Sequence, residues 1–262
     1  MKTIVITGST RGIGYGLAVE FLKRDCQVVI SGRSQTSVEA ALGQLHALFP
    51  AERIHGVACD IHRYEQVQGL WTAARERFGR VDVWINNAGL INPSVPLWQQ
   101  TTEQIDNVVA TNLTGLLYAC KVAINGMINQ GGGQIYNMEG YGSDGRIGNG
   151  LTLYGTTKYA VTYLTKSLIQ ETCETPVQVC YLSPGIVHTD MLADQYTGRP
   201  EDFERAKRFY NILGDKVETV TPYLAQKILD NNRAGVKIAW LTTSKAFWRF
   251  LTAPVMRRNI FD

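Results

Sequence analysis

Tyr154 and Lys158 stand four residues apart in Tyr154-Gly155-Thr156-Thr157-Lys158, a spacing that places both side chains on one face of a helix. A free phenol ionises near pH 10, too high for proton transfer at neutral pH, and a neighbouring ammonium favours the phenolate. The pair is therefore predicted to lower the pKa of Tyr154 and to pass a proton to or from an oxygen atom. Tyrosine and lysine at this spacing recur by chance in many chains, so the elements around them decide what the pair means.

A second constellation lies near the start of the chain. Thr7-Gly8-Ser9-Thr10-Arg11-Gly12-Ile13-Gly14 follows a β-branched run and opens a helical pattern. Glycines let the backbone turn tightly and let an anion approach the free N–H groups at the helix N-terminus. In that strand-to-helix context the loop reads as a dinucleotide pyrophosphate site. Its candidate contacts are Gly8, Ser9, Arg11, Gly12, Ile13 and Gly14. The second strand ends Val29-Ile30-Ser31-Gly32-Arg33-Ser34, with no acid to accept from a ribose 2′-hydroxyl. Arg33 offers a guanidinium fork to a 2′-phosphate instead, and Arg11 supplies a second cation. The expected cofactor is NADP(H).

The elements that must position these residues alternate. Strands are predicted over 3–7, 27–31, 53–59, 81–86, 133–137, 177–182 and 236–241, and helices over 14–24, 38–49, 64–78, 102–129 and 157–172. Several strands are continuous Val/Ile runs, the pattern of strands covered on both faces. Strand–helix alternation with right-handed connections implies an α/β fold. The expectation is one doubly wound Rossmann-like domain over residues 1–262, a seven-stranded parallel sheet with helices on both faces. Between the last two strands, residues 190–220 carry charge and Gly198-Arg199-Pro200 but no strand signal. That insertion is read as a substrate lid. The tail, 243–262, is basic, aromatic and amphipathic; contact with a membrane surface, with a substrate pocket or with another subunit all remain open for it.

Composition narrows the class. The net charge is +3 over 262 residues, with no clustered Lys/Arg face of the kind a nucleic-acid binder carries. The five cysteines, Cys26, Cys59, Cys120, Cys173 and Cys180, are scattered, without a C-x-x-C. They predict free thiols in a reducing compartment and neither a disulfide framework nor a metal site. No signal-peptide pattern and no run of about 18 apolar residues is evident, so the expectation is a cytoplasmic protein without a transmembrane segment.

Taken in order, these motifs resemble the short-chain dehydrogenase/reductase family over nearly the whole chain. The glycine loop has that family's G-x-x-x-G-x-G spacing. Asn86-Asn87-Ala88-Gly89, Asn112 in Ala110-Thr111-Asn112-Leu113-Thr114-Gly115, and Ser183-Pro184-Gly185-Ile186-Val187-His188-Thr189 add further matches. The resemblance implies that Asn87, Ala88 and Gly89 line the cofactor and that Asp60 and Ile61 meet the adenine. It implies that Lys158 binds the nicotinamide ribose while Asn112 supports a water path to it. It also implies that Pro184, Gly185, Ile186 and Thr189 hold the carboxamide end, and that the enzyme is a homodimer or homotetramer. One position departs. The family's serine, which hydrogen-bonds the substrate carbonyl, is expected where Glu139-Gly140 stands. Ser143, eleven residues before Tyr154, is the candidate replacement through a shifted glycine-rich loop; Glu139 is read as a loop hydrogen-bonding residue.

Asn137-Met138-Glu139-Gly140-Tyr141-Gly142-Ser143-Asp144-Gly145 together with the tail is similar to the chlorophyll b reductases of plants and their bacterial relatives. The expected activity is NADPH-dependent hydride transfer to a small-molecule substrate, the carbonyl of a bulky apolar aldehyde or ketone, with the formyl group of chlorophyll b or a related molecule as one candidate. The alternative is a non-catalytic NADP(H)-binding regulator or scaffold.

Overall fold

Ile4, Val5 and Ile6 are all fully buried, yet alternate residues serve different cores: Ile4 and Ile6 join one apolar cluster and Val5 another. A strand apolar on both faces must be covered on both. In the computed structural model, which describes residues 1–261, the strands are β1 (Thr3–Ile6), β2 (Gln27–Gly32), β3 (Ile54–Ala58), β4 (Val83–Asn86), β5 (Gly133–Met138), β6 (Val177–Ser183), β7 (Val187–His188), β8 (Asp215–Lys216) and β9 (Lys237–Ala239). Seven of them form one parallel sheet in the order β3-β2-β1-β4-β5-β6-β9.

The helices are α1 (Gly12–Leu22), α2 (Gln35–His46), α3 (Tyr64–Phe78), α4 (Thr102–Val109), α5 (Leu116–Gln130), α6 (Thr152–Glu171), α7 (Asp190–Asp194), α8 (Pro200–Leu213), α9 (Val217–Asp230) and α10 (Thr243–Thr252). Leu17 and Phe21 of α1, Leu45 of α2 and Leu224 and Ile228 of α9 fill one face. Trp71 of α3 and Ala123 and Met127 of α5 fill the other, where Trp71 packs on Trp84 of β4 with ring centroids 5.9 Å apart. The chain order reverses direction between β1 and β4, and the carboxyl ends of strands at such a switch point form the crevice where open α/β sheets bind ligands.

Three differences from the sequence reading have physical causes. Helix α9 was not expected, because Pro222 interrupts its polar–apolar pattern; packing of α9 on α1 overrides the weak local signal. The insertion does contain a strand: β8 pairs with β7 in a separate two-stranded parallel sheet, too short to show a pattern. The helical run Thr102–Gln130 is long and apolar enough to cross a membrane by length and composition, although half of that stretch is buried within the protein, as in a core helix. It is also broken by a π-helical turn, Ala110–Gly115, of the kind found at functional sites. All five cysteines are free, and four are buried.

Candidate active site

The glycine loop is shaped by close approaches. Gly8 and Gly12 have φ of +62° and +59°, a region that only glycine enters without strain. A methyl group built on Gly8 would lie 2.8 Å from Ala88 Cα, and one on Gly14 2.5 Å from Asn87 Nδ2. The loop is bolted in place by its neighbours. Ser9 Oγ donates to Ile6 O (2.7 Å) and accepts from Ser31 N (2.9 Å), while Ser9 N donates to Ser31 O. Both polar groups of Ser9 are thus engaged, and the residue holds the loop rather than facing a phosphate. Asn87 Nδ2 donates to Thr7 O (3.0 Å) and Gly8 O (2.8 Å), a second brace.

No side chain caps the first turn of α1, so its N–H groups stand available to an anion. Ile13 is half-buried against the core. Arg11 reaches over the loop to Asp190 Oδ2 (3.0 Å), both side chains being 69% exposed. Arg33, one residue past β2, is exposed and makes no ion pair among the described residues. At the end of β3, Asp60 Oδ1 accepts from His62 N (3.1 Å), and Ile61 packs on Gly115. The glycine cradle, the uncapped helix and a free guanidinium at the second strand fit a phosphorylated dinucleotide.

The acid–base pair stands on α6, which begins at Thr152 and so carries Tyr154 in its first turn. Lys158 Nζ donates to Met138 O (3.1 Å) and lies 5.7 Å from the centre of the Tyr154 ring. Burial dominates the electrostatics of both groups. It raises the Tyr154 pKa, opposite to the lowering predicted from the spacing; the lysine ammonium is bonded to the Met138 carbonyl. Burial also brings Lys158 down to about 8, while the charge of Glu139 acts in the opposite sense.

Asn112 is held in the π-helical turn. Its Oδ1 accepts from Leu90 N (2.8 Å), and its Nδ2 donates to Leu90 O and Thr157 Oγ1 (2.9 Å each). A methyl group built on Gly89 would lie 3.5 Å from Asn112 Oδ1 and 3.7 Å from Lys158 Nζ, so these three residues meet around one point. The carboxamide-end candidates lie beyond β6. Gly185, with φ of +73°, abuts Leu241; Ile186 O accepts from Asp215 N (3.0 Å). Thr189 sits beside Gly12, which carries Pro184 and its neighbours back toward the glycine loop.

Ser143 does not join the cluster through its hydroxyl. Its Oγ donates to Lys158 O (3.1 Å) and accepts from Gly140 N (3.0 Å), so its hydroxyl, expected to replace the substrate-gripping serine, is directed to the backbone. The cause is the tight turn Gly140–Ser143, which folds the serine back onto the helix. Tyr154 Oη instead lies against Gly140, where any Cβ would overlap it. Two participants escaped sequence reasoning. Thr157 braces Asn112 and donates to Tyr154 O (2.8 Å); its place between tyrosine and lysine was the available signal. His62 Nε2 lies 2.7 Å from Thr111 Oγ1, tying the adenine end to the π-helical turn, and nothing in a lone histidine announces that.

A doubly wound sheet, a glycine cradle at its switch point and a tyrosine–lysine pair over the next crevice define a short chain dehydrogenase. The family model described as short chain dehydrogenase matches residues 2–200, and the chain belongs to that family of oxidoreductases. Among its relatives is the chlorophyll(ide) b reductase NOL, chloroplastic, of Oryza sativa subsp. japonica, 40% identical over 258 residues, 95% of this chain and 74% of the relative. The protein of the same name from Arabidopsis thaliana is 40% identical over 264 residues, 99% of this chain and 72% of the relative. Among solved structures, ElxO with NADP bound superposes with a TM-score of 0.77 at 28% identity, covering 91% of this chain and 96% of that one.

Proposed function

We propose that the protein is an NADPH-dependent reductase of bulky apolar aldehydes or ketones, with the formyl group of chlorophyll b or a related molecule as the first candidate. The observation that carries this reading is the convergence of Tyr154, Lys158 and Asn112 beside a glycine cradle with an unpaired Arg33 at its adenine side. The relatives named for chlorophyll(ide) b reduction and the neighbour with NADP bound support the choice of substrate and cofactor.

NADPH, when bound, supplies the hydride. Arg33 receives the 2′-phosphate, and the uncapped start of α1 receives the pyrophosphate. Tyr154 donates the proton to the carbonyl oxygen as charge develops there, and Lys158 holds positive charge near the phenol so that the proton leaves more readily. Asn112 keeps the Leu90 backbone and Thr157 rigid around that pair. Gly140, having no side chain, makes room for the Tyr154 hydroxyl that lies against it.

The test is loss of NADPH absorbance with a panel of bulky aldehydes, quinones, steroids and chlorophyll b. Turnover of at least one is expected, falling about 10²–10⁴-fold in Tyr154→Phe. A panel without turnover, or a Tyr154→Phe enzyme as active as the wild type, contradicts the reading.

A further inference from the structure

The loop after β3 is held by its own bonds. Cys59 N donates to Gly32 O (2.8 Å), Asp60 N to Gln66 Oε1 of α3 (2.7 Å) and Arg63 N to Asp60 O (3.0 Å). His62 N donates to Asp60 Oδ1 (3.1 Å), and the same oxygen lies 3.6 Å from the imidazole Nδ1. With that edge of the ring on Asp60, Nε2 lies 2.7 Å from Thr111 Oγ1. Thr111 is buried and belongs to the π-helical turn Ala110–Gly115 between α4 and α5. Such turns are rare and interrupt α-helices singly, so contacts from outside the helix bear on where one forms. This loop supplies two of them. His62 meets the second residue of the turn, and Ile61 lies against the last, where a methyl group built on Gly115 would come within 2.7 Å of Ile61 Cδ1. Asn112 stands between the two.

From Asn112 a run of hydrogen bonds continues to the tyrosine. Its Oδ1 accepts from Leu90 N (2.8 Å), its Nδ2 donates to Thr157 Oγ1 (2.9 Å), and Thr157 Oγ1 donates to Tyr154 O (2.8 Å). We propose that His62 is a positioning residue for the acid–base pair: through Thr111 it fixes the rotation of the π-helical turn, and so the direction in which Asn112 braces Thr157 and Leu90. The inference rests on the reading of Tyr154 and Lys158 as that pair. Thr111 and Asn112 are adjacent in the turn, so neither rotates without the other. Once the imidazole is removed, the Thr111 hydroxyl has lost that partner, and the Asn112 amide is no longer held toward Thr157 from that side.

The test follows the Asn112 side-chain amide by ¹⁵N NMR, the resonance pair being the one absent from Asn112→Asp, and measures turnover beside it. The His62 side chain is 26% exposed, so His62→Ala retains the fold. Thr111→Val keeps the shape of its side chain and removes only the hydroxyl, and His62→Gln keeps a side-chain nitrogen able to bond it. In His62→Ala and in Thr111→Val the amide resonances are expected to move and to exchange faster with solvent. In both, kcat is expected to fall about three- to tenfold, the weight of one hydrogen bond, with NADPH affinity and KM nearly unchanged. The double variant falls no further than either single one, and His62→Gln restores both readouts. A histidine that only supports the fold lowers the melting temperature and leaves kcat and the Asn112 amide in place; that result overturns the proposal. A loss confined to NADPH affinity, or additive losses in the double variant, overturns it too. Moved amide resonances in an enzyme that reduces no carbonyl uphold the positioning of Asn112 and count against the reductase reading alone.

Discussion

Gly140 occupies the place at which the family's serine was expected, and the volume beside it is taken by the Tyr154 hydroxyl. The hydroxyl of Ser143 serves the lysine's backbone, which leaves Tyr154 as the group proposed to hold the carbonyl. Residue type and helical spacing pointed to Tyr154 and Lys158, and the family resemblance pointed to Asn112. They could not place Ser143, whose direction depends on how a glycine-rich turn folds, nor show that burial outweighs the lysine at Tyr154. Arg33 offers the sharpest test at this scale. It is exposed and unpaired among the described residues, so Arg33→Asp is expected to weaken NADPH binding by roughly tenfold or more while changing NADH little. Equal losses for both cofactors, measured by fluorescence titration, contradict the 2′-phosphate assignment.

Among elements, the tail and the insertion depend on one buried carboxylate. Asp215 of β8 accepts from Trp240 Nε1 (2.6 Å), from both Arg249 nitrogens (2.8 and 3.0 Å) and from Arg258. It thereby fastens α10 and the last residues beside α8, where Ile260 packs on Gly214 and Phe261 lies 4.8 Å from the His188 ring. Burial alone raises the Asp215 pKa, but the bonds from Arg249 and Trp240 and the two guanidinium charges prevail and hold it below the ordinary aspartate value. A depressed pKa in the folded state contributes stability above the unfolded value, near pH 4, and loses it as pH falls through the folded one. Asp215→Ala is expected to cost about 1–3 kcal/mol by leaving the partly buried guanidiniums of Arg249 and Arg258 without their carboxylate, and Asp215→Asn to remove part of the acid sensitivity of thermal unfolding. Unchanged melting in Asp215→Ala contradicts the latch. The basic, amphipathic character of the tail was legible, but its partner was not, because an aspartate some 35 residues away becomes a partner only in the fold.

At the scale of the molecule, the seven sheet strands were legible because strands buried on both faces appear as Val/Ile runs. The site was legible because its two halves sit at opposite sides of one switch point, each announced by its own motif. Helix α9 and the β7–β8 pair were not, since packing against α1, against each other and against the tail, rather than a local pattern, stabilises them. The central claim is that hydride passes to a carbonyl carbon while Tyr154 supplies the proton. A single turnover with NADPH deuterated at the transferred position, the product weighed by mass spectrometry, tests that claim directly. The wild-type enzyme is expected to give an alcohol carrying one deuterium at the former carbonyl carbon, with Tyr154→Phe binding NADPH yet forming almost none. An alcohol without deuterium, or full labelling in Tyr154→Phe, contradicts it.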